Sequence, residues 1–284
     1  NPKLAAAVYA CQQEKEPVLE LSSSMDIGEH PGCNRGETYI FTNADKVRMY
    51  KNDRFIKEYS AADSPYIHLK HGPILIDDFI GDALQEEHMK PGQEAGVKKA
   101  LNAFTRFGFA KLPKSIYATG IWLILRYHMN MEEAVRLYNQ YIGDWGGTST
   151  TYRFEAVMVD ASTRQERVVK TIIKEPMTER KISAVADHEN LIDAESYDVA
   201  EVRIQAQDEH GNILPFYNEP LTIETEGPIE IIGAKTVALQ GGMGGIYVKS
   251  QRLLTAEKQD AVLIIRDGDS DIKIGFTVRS ERNK

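Results

Sequence analysis

The spacing of hydrophobic and polar positions changes twice along the chain. From Pro17 to about Tyr59 it is the spacing of strands. Val18–Leu21 and Thr38–Phe41 are rich in strand formers. Val47–Tyr50 and Arg54–Ile56 flank Asn52-Asp53, a two-residue connection in which both residues tolerate positive φ, so a hairpin is predicted there. Between them, Ser22 to Gly36 holds Gly28, Pro31, Gly32 and Gly36 and reads as a loop. Between about Gly81 and Gly147 the period becomes helical. Val97, Ala100, Leu101, Phe104 and Phe107 form one apolar stripe, and Ile116, Gly120, Leu123, Ile124 and Tyr127 a second. Met131, Ala134, Val135, Tyr138 and Ile142 form a third, opened by the capping pair Asn130 and Glu133 and closed by Gly143. These stripes are expected to be core.

After Gly147 the alternation of strands returns. Tyr152, Phe154, Ala156 and Met158 alternate with Arg153, Glu155 and Val157, and Val168–Ile173 reads as the partner strand before Pro176 breaks the run. Ala200, Val202, Ile204 and Ala206 alternate with Glu201, Arg203 and Gln205, His210-Gly-Asn212 is a turn, and Leu221–Glu224 is a further strand. Ile272, Ile274, Phe276 and Val278 alternate with Lys273, Gly275 and Thr277. The fold class expected is mainly β: two immunoglobulin-like β-sandwich domains, the first carrying an α-helical insertion. The predicted order is a first sandwich over 15–80, the helical insertion over 81–147, closing strands of the first sandwich over 148–176, and a second sandwich over 177–284.

Composition narrows the function classes. A net charge of −8 with pI near 5.5 argues against a nucleic-acid binder, which would more often carry a basic patch. The longest apolar run, Gly120–Leu125, is far short of a membrane span. Cys11 and Cys33 are too few for a disulfide framework or a four-cysteine zinc site and are read as unpaired thiols. The chain opens Asn1-Pro2-Lys3-Leu4, a helix start with no charged-then-apolar signal segment, and is read as a piece of a longer protein.

Candidate chemistry is sparse. His68, His71, Asp77 and Asp78 supply metal-ligand residue types, but Pro65, Gly72 and Pro73 deny the histidines one-face helical spacing, so a polar loop is expected. Asp267-Gly-Asp-Ser-Asp271 resembles the opening of a calcium loop, yet Ile272 stands where Gly is required and Val278 where Glu closes the loop; a charged hairpin turn is the better reading. Gly241-Gly-Met-Gly-Gly245 lacks the Lys-Ser/Thr of a phosphate loop and is read as a bulge or tight turn. No Gly-x-Ser-x-Gly is present. Trp122 falls in a helix stripe and is expected to be core. Trp145, in Gly143-Asp-Trp-Gly-Gly147, has the more open setting and is the candidate substrate-binding residue, suited to stacking on a sugar ring. No catalytic residue, metal ligand or cofactor site is assigned.

Three stretches carry a family resemblance. Thr38-Tyr-Ile-Phe-Thr-Asn-Ala-Asp-Lys-Val-Arg-Met-Tyr-Lys-Asn-Asp53 is similar to a sandwich-domain signature of glycoside hydrolase family 2, the β-galactosidase family, departing from it at Tyr50, Lys51 and Asp53. Asp198-Val-Ala-Glu-Val-Arg-Ile-Gln-Ala-Gln-Asp-Glu-His-Gly-Asn212 resembles a strand-and-turn motif of the last domain in many members, continued by Gly227–Gly233 and Gly244–Ser250. Pro2–Gln12 resembles the end of the last helix of the catalytic barrel, making 1–14 a remnant of that helix. The helical segment has no counterpart in these motifs. The resemblance implies the C-terminal region of a β-galactosidase-like enzyme that hydrolyses β-glycosides with retention, with a β-glucuronidase or β-mannosidase parent as alternatives. It implies that both catalytic glutamates lie on the barrel and outside this chain. Asn218-Glu219 matches the family's acid/base dipeptide only by chance, since it falls between strands of a sandwich. The partners implied are the catalytic barrel of the same parent chain, a carbohydrate substrate through that parent, and a second copy in a homo-oligomer; no nucleic acid and no membrane are expected, and a cytoplasmic setting is favoured. The alternative readings are a carbohydrate-binding module and an immunoglobulin-like structural or adhesion module.

Overall fold

The computed structural model describes residues 5–23, 25, 35–143, 150–254, 257–268 and 270–281. Two compact units divide the chain, Pro2–Pro176 and Met177–Lys284.

The first unit opens with the short helix α1 (Ala5–Ala10). Five strands follow: β1 (Leu19–Leu21), β2 (Tyr39–Thr42), β3 (Lys46–Lys51), β4 (Arg54–Ser60) and β5 (Ile74–Leu75). The chain then runs through α2 (Pro91–Phe107), α3 (Lys114–Tyr127) and α4 (Met131–Tyr141) before closing with β6 (Tyr152–Val159) and β7 (Glu166–Lys174). Two antiparallel sheets result, in the orders β1-β2-β5 and β4-β3-β6-β7. They share one core, in which Leu19 and Ile40 from the first sheet meet Val47, Met49, Tyr59 and Phe154 from the second. Each fully buried large side chain there contributes about 1.5–3 kcal/mol. The β3–β4 hairpin turns on Asn52 and Asp53 at φ 49° and 61°, the left-handed pair that a tight two-residue hairpin needs. On the outer face of the four-stranded sheet, Lys46 and Arg48 of β3 each pair with Glu58 of β4 and, across β6, with Glu166 of β7. Opposite charges across strands are the favourable arrangement there.

The second unit is all β. Its strands are β8 (Arg180–Ala186), β9 (Asn190–Asp193), β10 (Val199–Asp208), β11 (Pro220–Glu226), β12 (Ile229–Ile232), β13 (Thr236–Ala238), β14 (Met243–Ser250), β15 (Lys258–Arg266) and β16 (Asp271–Ser280). They form a four-stranded sheet, β12-β14-β10-β8, and a five-stranded sheet, β13-β11-β15-β16-β9. All pairs are antiparallel except β9 with β16. The alternation read from Ala200 to Ala206 and from Ile274 to Val278 points one side of each strand into a common core with Leu191, Leu221, Ile223, Val248 and Leu263. Gly242 is required in the turn before β14. It sits at φ 73°, and a Cβ there would lie 2.2 Å from the Leu214 carbonyl oxygen. The molecule is thus mainly β, two sandwiches of which the first carries three helices between β5 and β6.

Candidate functional site

The helices are fastened to the first sandwich by Asp78. Its Oδ1 accepts the backbone amides of Ile80 (3.0 Å) and Gly81 (3.1 Å) and the Asn102 side-chain amide (3.1 Å), while Oδ2 faces Lys98 Nζ at 2.7 Å. Asn102 in turn accepts the Phe79 amide at 2.9 Å, and Lys98 donates to the Gly81 carbonyl at 2.6 Å. One carboxylate therefore ties the segment after β5 to helix α2. Beside it, Asp77 receives Lys57 (2.8 Å) and the Tyr59 hydroxyl (3.2 Å). Burial alone would raise the Asp77 carboxyl, but the hydrogen bonds from Lys57 and Tyr59 outweigh it and hold the group below its ordinary range. Burial, and then the neighbouring Asp77 charge, pushes the Tyr59 hydroxyl up. A second tether joins α4 to the turn before α2. Arg136 and the Tyr141 hydroxyl both reach Glu87, at 2.6 and 2.8 Å. Arg136 draws the Glu87 carboxyl down, and burial followed by the bond to Glu87 pushes Tyr141 up to about 12.

Within the helical segment the closest approach is between α2 and α3. A Cβ on Gly96 would come within 2.9 Å of the Leu123 side chain and 3.0 Å of the Trp122 ring, so a larger residue there would make those side chains shift. Trp122 lies edge-on to Tyr127, ring centroids 5.0 Å apart. The predicted cap of α4 is present, with Asn130 Oδ1 accepting the Glu133 amide at 2.8 Å. Between α2, α3 and α4 lies a cavity of about 410 Å³, lined by Phe104, Phe109, Ile121, Ile124, Met131 and Val135 among others, with no carboxylate in its wall.

That cavity corrects the sequence reading. Val97, Leu101, Ile116, Leu123, Tyr138 and Ile142 of the three apolar stripes are buried as expected. Ile124, Met131 and Val135 are exposed, and Trp122, also expected in the core, is 43% exposed. Helical periodicity identifies the apolar side of a helix but not whether a neighbour covers it. The Asp78 hub is not legible among the metal-ligand residue types with which Asp78 stands in the sequence; its one sequence signal is Asn102, a polar residue beside an otherwise apolar stripe.

The other candidates resolve into structure. His68 and His71 sit in the loop between β4 and β5, where the His71 backbone carbonyl accepts Gln12 at 2.8 Å, while Asp77 and Asp78 are engaged as above. Asp267 caps the β15–β16 turn through the Ser270 amide at 2.9 Å, and Asp271 pairs with Arg266 at 3.2 Å. Asn218 Oδ1 accepts the Gly241 amide at 3.1 Å, joining the loop before β11 to the glycine turn. Cys11 is a buried free thiol, raised to about 11 mainly by that burial. Trp145, the candidate substrate-binding residue, and Cys33 lie outside the described residues. No described helix is long and apolar enough to cross a membrane.

Comparison with known proteins gives these features a family setting. No protein-family model matches the chain. It is 40% identical to a β-galactosidase of Rhizobium meliloti over 249 residues, covering 86% of this chain and 24% of that protein. It is 28% identical to a β-galactosidase of Thermoanaerobacterium thermosulfurigenes over 244 residues, covering 85% and 25%. Among solved structures, a glycosyl hydrolase family 2 member from Bacteroides cellulosilyticus superposes with a TM-score of 0.53 at 11% identity, covering 97% of this chain and 30% of that one. The chain thus spans about a quarter of the length of the relatives that match most of it. In sequence the chain resembles a segment of β-galactosidases over most of its length, and in fold it resembles a segment of glycosyl hydrolase family 2 enzymes over nearly all of it.

Proposed function

We propose that this chain is the non-catalytic C-terminal part of a family 2 β-galactosidase. The observation that carries the reading is the similarity to β-galactosidases across most of the chain, combined with the small share of those enzymes it spans. The parent reaction is retaining hydrolysis of β-galactosides by a nucleophilic carboxylate and an acid/base carboxylate. Both belong to the barrel and so to the remainder of the longer chain. On this reading residues 1–14 end the last barrel helix, 81–147 are an insertion in the first sandwich, and the two sandwiches support the barrel and subunit assembly. Two features favour a supporting role. The carboxylates at the two tethers of the helical segment, Asp77, Asp78 and Glu87, are engaged by Lys57, Lys98 and Arg136, and the inter-helix cavity is apolar.

The test is a deletion. The longer chain is compared with a form cut after residue 14 of this region, and hydrolysis of a nitrophenyl β-galactoside is followed after heating. The expected result is loss of activity at temperatures the uncut enzyme survives, with a change in oligomeric state. Unchanged activity, heat resistance and assembly in the cut form would overturn a supporting role.

A further inference from the structure

Two neighbouring features of the first unit hold apolar side chains in water on ordered backbone. Helix α1 is six residues of Ala, Val and Tyr without a charge, and of these only Ala7 is buried. Ala5, Ala6, Tyr9 and Ala10 are exposed, Tyr9 by 80%. A helix so short is not held by its own bonds, which become sufficient only at about 12–15 residues. The second feature is the loop 64–73. Ser64 Oγ accepts the Tyr66 amide at 3.2 Å and donates to the Pro73 carbonyl at 2.9 Å, which ties the two ends of the loop together. Inside it the Leu69 amide donates to the Tyr66 carbonyl at 3.0 Å. This fixed loop carries Ile67 83% exposed, with Tyr66 and Leu69 exposed beside it. Contiguous apolar side chains held out by ordered backbone mark an interaction surface.

The helix and the loop are fastened to each other. Gln12, just past α1, donates to the His71 carbonyl at 2.8 Å, and Lys70 pairs with Glu14. Tyr66 hydrogen-bonds Tyr39, which packs on the cluster of Ala7, Cys11 and Phe41. Position then names the occupant. On the function proposed above, the chain that precedes α1 is the catalytic barrel, and this region spans about a quarter of the relatives it matches. At 1.5 Å per residue, the six residues of α1 bring that preceding chain to within about 15 Å of Gln12 and its bond to the loop. A segment tethered so closely is present at an effective concentration of about 1 mM, roughly a thousandfold above a second copy free in solution at about 1 µM. The tether favours the same chain over a second copy.

We propose that Tyr9 of α1 and Tyr66, Ile67 and Leu69 of the loop are the seat on which the preceding part of the longer chain docks, through an apolar patch of its own. The inference rests on the function proposed above. Hydroxyl-radical oxidation of these four side chains is timed by mass spectrometry in the 284-residue chain and in the full longer chain. Oxidation about fivefold slower in the longer chain is expected, and unchanged on dilution. Ile67→Asp, at a side chain that its own unit leaves in water, is expected to leave the melting of the 284-residue chain unchanged. In the longer chain it buries a charge in the contact and is expected to shorten the half-life of activity on heating about threefold. Equal oxidation in the two chains would overturn the seat while leaving the proposed function standing. Protection lost on dilution would assign the surface to a second copy and overturn it equally. So would an Ile67→Asp chain of 284 residues that melts as early as the longer variant fails, since the loop would then serve only its own unit. If the longer chain hydrolyses no β-galactoside, the proposed function falls whatever the oxidation shows.

Discussion

Replacing Asp78 separates two contributions that one carboxylate makes through its two oxygens. Oδ1 holds three donors, the Ile80 and Gly81 amides and the Asn102 side chain; Oδ2 holds Lys98. Asp78→Ala leaves those three donors without an acceptor in a site where the Asp78 side chain is only 14% exposed. A buried donor left unpaired costs about 1–3 kcal/mol. Lys98, a third exposed and still bonded to the Gly81 carbonyl, loses less. The expected destabilisation is therefore about 3–4 kcal/mol. Asp78→Asn keeps an oxygen for all three Oδ1 partners and turns an amide towards Lys98, so it forfeits mainly the ion pair, about 1 kcal/mol. Urea unfolding followed by the helical far-UV signal reads this out, because that signal comes mostly from α2, α3 and α4, and two compact units can unfold in separate steps. A loss below about 1 kcal/mol for Asp78→Ala, or an equal loss for Asp78→Asn, would refute the hub as described.

Gly242→Ala forces a Cβ to 2.2 Å from the Leu214 carbonyl at φ 73° and is expected to cost about 2–4 kcal/mol in the second sandwich. Gly275→Ala in β16 meets nothing within 4 Å and is expected to raise stability by up to about 0.5–1 kcal/mol; thermal melts distinguish the two. Glu209 accepts the Thr178 hydroxyl and the Thr178 and Glu179 amides, which hold its carboxyl down at about 2, from an ordinary 4.5. In that interval the unfolded chain binds more protons than the folded one, so stability is present above about pH 4.5 and is lost as pH falls towards 2. Glu209→Gln should flatten that acid limb of the second unit's unfolding curve, and an unchanged limb would show that the bonds do not bias titration.

Much of this architecture is legible in the sequence. Strand alternation depends only on neighbouring residues and one buried face, so Tyr152–Met158 and Ile272–Val278 could be read directly. The left-handed Asn52-Asp53 turn and the Asn130 cap are equally local. What could not be read depends on contacts distant in sequence. The parallel pairing of β9 with β16 joins residues more than eighty positions apart. Asp78 finds Asn102 and Lys98 only after α2 folds back on the segment following β5. The exposure of Ile124, Met131 and Val135 was hidden for the opposite reason: their stripes have the spacing of a core, and only coordinates reveal that nothing in the described chain covers them. Sugar stacking by Trp145, which lies outside the described residues, stands as an expectation.

The central claim is that the chemistry lies elsewhere in a longer β-galactosidase and that this chain supports it. The most direct measurement is the steady-state hydrolysis of a nitrophenyl β-galactoside by the purified 284-residue chain, run beside the longer chain at equal molar concentration. The account predicts saturable turnover by the longer chain and none above the uncatalysed background by the 284 residues alone. Saturable hydrolysis by the 284-residue chain, lost on substituting one of its own carboxylates, would contradict it.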